Sequence, residues 1–140
     1  MPESGVADMD MIQTGRQEQI RDLDTLPRWD RSLVDYRKYH QFVGQSGIRY
    51  EMTMQATRGC PYRCFYCDVQ HLTPMHRRRS VESVFDEVKY LHDIGVRKSE
   101  FIDDAFNVNI NEFKAFFRKV IDAKMDMSFY FQSGLRGDLL

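Results

Sequence analysis

From Arg49 to Gln132 the hydrophobic period switches repeatedly between two residues and about 3.6, and this alternation limits the fold more than any other feature. Arg49-Tyr-Glu-Met-Thr-Met-Gln-Ala56 alternates Tyr50, Met52, Met54 and Ala56 with polar neighbours, as a strand with one buried face does. Thr57-Arg58-Gly59 interrupts it, and Gly59 supplies backbone freedom. Ser80 is the predicted N-cap of a helix from Val81 to Ile94. Val81, Val84, Phe85, Val88, Leu91 and Ile94 fall on one face, and Gly95 sits at the C-cap. A second strand is predicted over Glu100-Phe101-Ile102-Asp103. Asn109 and Glu112 then read as a capping box opening a second helix, with Phe113, Phe116, Phe117, Val120 and Ile121 on its buried side. A third strand, Met127 to Gln132, closes on Ser133-Gly134. Strands alternating with helices of this length imply an α/β fold with parallel strands and right-handed crossovers.

Cys60, Cys64 and Cys67 are the three cysteines of the chain, in C-P-Y-R-C-F-Y-C directly after the first predicted strand. Thiols this crowded, with none elsewhere to pair with, are poor material for a disulfide framework and good material for a metal site in a reducing compartment. A cubane iron–sulfur cluster takes four ligands, so three thiolates leave one iron open to another molecule. With His71 the same cysteines also make a Cys3His set for a closed tetrahedral zinc. Zinc, however, accounts neither for the strand before the loop nor for the periodicity after it. The loop falls at the C-terminal edge of the predicted sheet, where α/β folds place their active sites.

With Tyr66 as the aromatic before Cys67, the motif resembles the C-x-x-x-C-x-(aromatic)-C loop of the radical SAM superfamily. The resemblance runs from about Tyr50 to Leu140. It implies the N-terminal portion of a partial (βα)6 TIM-type barrel with parallel strands, preceded by an irregular linker. It also implies that Cys60, Cys64 and Cys67 ligate a [4Fe–4S] cluster whose open iron chelates S-adenosylmethionine. One electron from the cluster would cleave that cofactor to a 5′-deoxyadenosyl radical, which takes a hydrogen atom from a substrate. In the family an aromatic at the position of Tyr66 packs beside the adenine; a plain aromatic wedge in a tight loop is the alternative. Asp103 and Asp104 stand where many members carry a Gly-Gly-Glu-like segment that binds the cofactor's amino group. This sequence departs from that segment, so only the position carries over, and a turn or helix-terminal carboxylate is the other reading. Arg136 is a candidate for meeting a carboxylate of cofactor or substrate. Gln132, with Ser133, ends the third strand at the same edge. For all three a solvated surface position is the rival reading. No catalytic residue is assigned beyond the cluster ligands.

Ile20-Arg-Asp-Leu-Asp-Thr-Leu-Pro-Arg-Trp-Asp30 and Leu33-Val-Asp-Tyr-Arg-Lys-Tyr39 resemble the segment that leads into the barrel in members with an upstream cobalamin-binding domain. Phe101-Ile-Asp-Asp-Ala-Phe106 is similar to their F-x-D-D-x-F, and Gly134-Leu-Arg-Gly-Asp138 to their third-strand loop. The D-x-H-x-x-G signature of the cobalamin domain does not occur here, so cobalamin is inferred only for full-length relatives. The expected division is a linker or partly disordered segment over 1–45 and a core domain over 46–140, incomplete at its C-terminus. A sheet ending on a third strand would leave an open edge and an uncovered apolar face. The other readings are a zinc-stabilised binding module and a catalytically inactive truncated remnant.

A net charge of −1 gives no general pull toward nucleic acid or membranes, and an apolar fraction of 42% is enough for a core. His76-Arg77-Arg78-Arg79 reads as a solvated loop before the first long helix, so nucleic acid is not expected as a partner. The partners implied are a small-molecule or peptide substrate and a reductase or flavodoxin/ferredoxin-type electron donor. No apolar run is long enough for a spanning helix, and oxygen-labile cluster chemistry with unpaired thiols points to the cytoplasm.

Overall fold

The structure, a computed structural model, describes Ile12, Gly15 and residues 17–39 and 50–140. Its elements in chain order are β1 (Glu51–Met54), β2 (Thr57–Arg58), α1 (Val69–Leu72), β3 (Arg77–Arg78), α2 (Val81–Asp93), β4 (Lys98–Phe101), α3 (Ile110–Asp122) and β5 (Ser128–Phe131). Short 3-10 turns occupy Leu23–Thr25, Arg31–Leu33, Tyr36–Tyr39 and Gly137–Leu139. The sheet is parallel, in the order β1-β4-β5. Residues 1–11, 13, 14, 16 and 40–45 of the segment expected as linker, together with Arg49, lie outside the described residues.

Register sorts the sheet into two chemically distinct faces. Met54, Phe101 and Phe131 lie side by side, as do Thr53, Glu100 and Tyr130. Because side chains alternate, Met52, Met54, Phe101, Phe129 and Phe131 share one face, against Val84, Val88 and Leu91 of α2 and Phe116 and Val120 of α3. Aromatic rings fill this layer: Phe101 stacks on Phe131 at 5.4 Å and meets Phe106 at 4.5 Å. The opposite face carries Glu51, Thr53, Lys98, Glu100, Ser128 and Tyr130. The uncovered apolar face expected from the sequence is therefore not found: both long helices cover the apolar side, and the other side is polar.

The caps fall largely where the sequence places them. The Ser80 hydroxyl accepts the Ser83 amide at 3.1 Å. Gly95, at φ 95°, closes α2 as its amide bonds His92 and the Val96 amide bonds Leu91. The same pattern ends α3, with Lys124 at φ 50° in the left-handed position. Asn109 caps α3 by accepting the Asn111 and Glu112 amides at 3.1 and 3.3 Å, but the Glu112 carboxylate pairs with Arg78. Ile121, expected on the buried side, is 70% exposed. β1 starts after Tyr50 because that residue turns to φ 60°, outside strand geometry.

The basic run is not a solvated loop. Arg77 and Arg78 form β3, which pairs antiparallel with β2. Arg77 is buried and donates to the Ile20 carbonyl at 2.7 Å. Arg79 reaches Glu87 on α2, and Arg31 joins the same carboxylate at 3.3 Å while donating to the Thr53 carbonyl at 2.6 Å. The 20–31 segment thus docks on the domain: Leu23 is buried, and the Asp24 carboxylate accepts the Ser80 amide at 3.0 Å. Removing the Glu87 carboxylate would leave two mostly buried guanidiniums without their anion. Glu87→Ala should therefore cost about 3 kcal/mol, read as a lowered urea midpoint, whereas Lys89→Ala, breaking the exposed pair with Asp93, should leave the midpoint unchanged.

Candidate metal centre

The cysteine loop leaves the sheet at the end of β1, and its root is held by carboxylates from the end of β4. After Met54 the pairing of β1 with β4 stops, so the next amides lie past that ladder. The Asp103 carboxylate accepts the Ala56 amide at 3.1 Å and also the Thr57 amide. Asp104 accepts the Gly59 amide at 3.1 Å. Asp103 is 3% exposed, and burial raises its pKa to about 6 against the opposing pull of the Thr57 and Ala56 hydrogen bonds. Gly59 turns the chain at φ 80°. A Cβ there would lie 2.6 Å from the Met75 carbonyl oxygen and 2.7 Å from that of Thr73.

Beyond this root the loop opens outward. Cys60 and Cys67 are half-buried, Cys64 is exposed, and all three are free thiols. The Cys67 amide bonds the Cys64 carbonyl at 3.0 Å, and the Gln70 amide group donates to the Cys60 carbonyl. Among the described residues no three His, Cys, Asp or Glu side chains converge as they would on a single ion. His71 points its Nδ1 at Asp68, 2.6 Å away, with its side chain 80% exposed. Three free cysteine sulfurs spread along one loop suit a cluster in which each iron takes its own sulfur.

The other expected site residues surround this edge. Tyr66 is exposed and meets Phe65 edge-to-face at 5.1 Å. Asp103 and Asp104 hold the root of the loop. Gln132 is exposed and its amide bonds the Phe101 carbonyl at 3.1 Å, extending the β4–β5 ladder. Arg136 stands over the Tyr62 ring, inside the cysteine loop, at 4.0 Å. Sequence reasoning missed three partners here: Tyr62, Gln70 and Asn107. Asn107 is 2% exposed and exchanges two hydrogen bonds with the Arg136 backbone. A buried amide in a strand-end loop has no periodicity to betray it, although Tyr62 stood inside the motif itself. His76, before β3, is half-buried, and burial pushes its pKa down.

A three-cysteine loop, rooted at the carboxyl edge of a parallel sheet whose helices cover one face, places this chain among α/β proteins built from βα units. Residues 54–136, more than half of the chain, match the Radical SAM superfamily, and the chain belongs to that family. Its relatives include the ribosomal protein uS12 methylthiotransferase RimO of Rippkaea orientalis, 32% identical over 83 residues. That match covers 58% of this chain and 17% of the relative. The anaerobic magnesium-protoporphyrin IX monomethyl ester cyclase of Synechocystis is 31% identical over 103 residues, covering 73% of this chain and 20% of the cyclase. Among solved structures, the radical S-adenosylmethionine methyltransferase TsrM from Kitasatospora setae, with cobalamin and a [4Fe-4S] cluster bound, superposes with a TM-score of 0.51 at 25% identity. That alignment covers 76% of this chain and 17% of TsrM. The chain thus spans a fifth or less of the length of these three relatives.

Two outcomes test the root of the loop. Gly59→Ala should lower stability by about 2 kcal/mol, since a side chain at positive φ is strained and its Cβ would meet backbone oxygens. A urea titration beside the native protein would check this. Asp103 sets a pH dependence of definite sign. Its folded pKa lies above the unfolded value, so its stabilising contribution is complete below about pH 4 and is lost as pH rises through 6. A carbon-detected NMR titration of its carboxyl should give a midpoint near 6, and Asp103→Asn should remove that component of the stability–pH curve.

Proposed function

We propose that Cys60, Cys64 and Cys67 hold a [4Fe–4S] cluster whose remaining iron binds S-adenosylmethionine, in the core of a radical SAM enzyme. The observation that carries this reading is the placement of three free thiols on one outward-facing loop whose root is locked at the carboxyl edge of a parallel sheet. When bound, the cluster supplies the electron that cleaves the cofactor to a 5′-deoxyadenosyl radical. The chain's own residues supply position. Asp103 and Asp104 fix the loop root, and Gln70 ties the Cys60 carbonyl to the start of α1. Tyr66 offers an exposed ring for the adenine, while Gln132 and Arg136 offer donors at the same edge for the carboxylate of the cofactor. The polar face of the sheet carries the half-buried Tyr130, the group on that face nearest to what a substrate would meet.

The names of the relatives, a methylthiotransferase, a protoporphyrin ester cyclase and a methyltransferase, favour methyl or methylthio transfer or a step of cofactor assembly; the substrate we propose is a small molecule or peptide. A flavodoxin- or ferredoxin-type protein would deliver the electron. Cobalamin belongs to this proposal only through longer relatives such as TsrM. Among the described residues no helix is long and apolar enough to cross a membrane, and oxygen-labile chemistry places the proposed activity in the cytoplasm.

Anaerobic reconstitution tests this directly. About four irons and four sulfides per chain, with broad brown absorbance, are expected. Replacing any one of the three cysteines by serine should remove most of the colour. Dithionite-reduced protein should release 5′-deoxyadenosine from S-adenosylmethionine. A colourless chain that retains one zinc would overturn the assignment in favour of a Cys3His module, and a brown chain that leaves S-adenosylmethionine intact would overturn the enzymatic step alone.

A further inference from the structure

Tyr62 lies inside the cysteine loop, between Cys60 and Cys64, and Arg136 lies beyond the end of β5. Their separation of 4.0 Å, from guanidinium carbon to ring centre, is a close cation–π contact. Arg136 is not free to wander from it. Asn107 donates to the Arg136 carbonyl at 2.9 Å and accepts its amide at 3.0 Å. Nε and Nη2 of the same guanidinium bond the two carboxylate oxygens of Asp138. Tyr62 is flanked by Cys60 and Cys64 in the chain, so the cation stands against the cysteine loop itself. One strand-end loop is thereby fastened across another by an element that carries both a positive and a negative charge.

We propose that Tyr62, Arg136 and Asp138 form a latch that positions the cysteine loop and sets the reduction potential of the cluster it holds. The inference rests on the cluster assignment above. A cluster held by three thiolates becomes more negative when it accepts one electron from a low-potential reductant. A nearby cation therefore favours the reduced form, and a nearby anion the oxidised form. Arg136 and Asp138 then push in opposite directions. A purely steric latch would move both variants alike or not at all. Because the pair is half-exposed, its effect is screened and is largest at low salt.

The test uses the full chain, reconstituted anaerobically with iron and sulfide and titrated with dithionite under electron paramagnetic resonance. In Arg136→Gln the reduced-to-oxidised ratio at fixed potential should fall about twofold to fivefold, the larger figure corresponding to about 41 mV for one electron. Asp138→Asn should shift it in the opposite direction, and Arg136→Lys should restore most of the native value. In the metal-free chain, tryptic cleavage after Arg63 should quicken several-fold in Tyr62→Leu and Arg136→Gln, while Tyr62→Phe, which keeps the ring, should match the native rate. An unchanged midpoint in Arg136→Gln, or shifts of the same sign in both charge variants, overturns the electrostatic role. Cleavage rates indifferent to Tyr62→Leu overturn the latch. A native chain that takes up no cluster overturns the cluster assignment, and the cleavage series still decides the latch by itself.

Discussion

Where β1 and β4 stop pairing, two carboxylates take over from the ladder. The last sheet bond is the Ile102 amide to the Met54 carbonyl at 3.0 Å. Beyond it the Ala56, Thr57 and Gly59 amides lie past the β1–β4 ladder, and buried amides without acceptors are costly. Asp103 and Asp104 accept them instead. The clamp fixes where the cysteine loop begins, and Gly59 fixes the direction in which it leaves. Farther along the loop Cys64, Phe65 and Tyr66 are exposed. A loop that is fixed at its root and open at its tip can wrap a bulky inorganic group without the sheet having to move.

The clamp is supported from behind by charges that a linear reading scatters. β3 pairs with β2, the stretch Asp103 and Asp104 hold, so the arginines of β3 lie beside the root of the loop. These two arginines and Arg79, just after β3, each find a partner on a different segment: Arg77 the Ile20 carbonyl, Arg78 Glu112 on α3, and Arg79 Glu87 on α2. Arg31 completes the set by bonding both Glu87 and the Thr53 carbonyl of β1. The N-terminal segment is therefore tied to the strand that launches the cysteine loop. Partly buried pairs of this kind are demanding in geometry and punish loss of one partner more than they reward formation. They specify one arrangement of the segments around the loop.

Legibility followed the kind of signal each residue carries. Val84, Val88 and Leu91 were readable because burial on a helix repeats, and Ser80 and Gly95 because caps have their own chemistry. The cysteines were readable because ligand spacing is chemistry written along the chain. Glu87 was not, since a carboxylate within an apolar face looks like an interruption until two guanidiniums arrive from residues 31 and 79. The basic run failed for the same reason, as local charge density carries no record of distant partners. Ile121 kept the period of α3 yet faces solvent, because α3 buries a stripe narrower than its apolar pattern. Asp103 and Asp104 stood at the expected edge, but their hydrogen bonds go to backbone amides, a role that spacing cannot reveal.

Three successive strand-end loops meet through named contacts at one edge of the sheet. The loop after β1 is bound to the loop after β4 by Asp104 and Gly59. The loop after β4 is bound to the loop after β5 by Asn107 and Arg136, and the loop after β5 returns to the first through Arg136 and Tyr62. The circuit closes around the cysteines without using any of their sulfurs. Side chains that only stabilise a loop could bond anywhere along it. Here they bond its root and its flank and leave the three thiols free to serve as donors. The polar strand face begins beneath the same edge, so the cysteine loop lies where the sheet changes from apolar packing to a chemically varied face. That junction lets a reactive group be held by rigid backbone while it faces side chains able to orient a substrate.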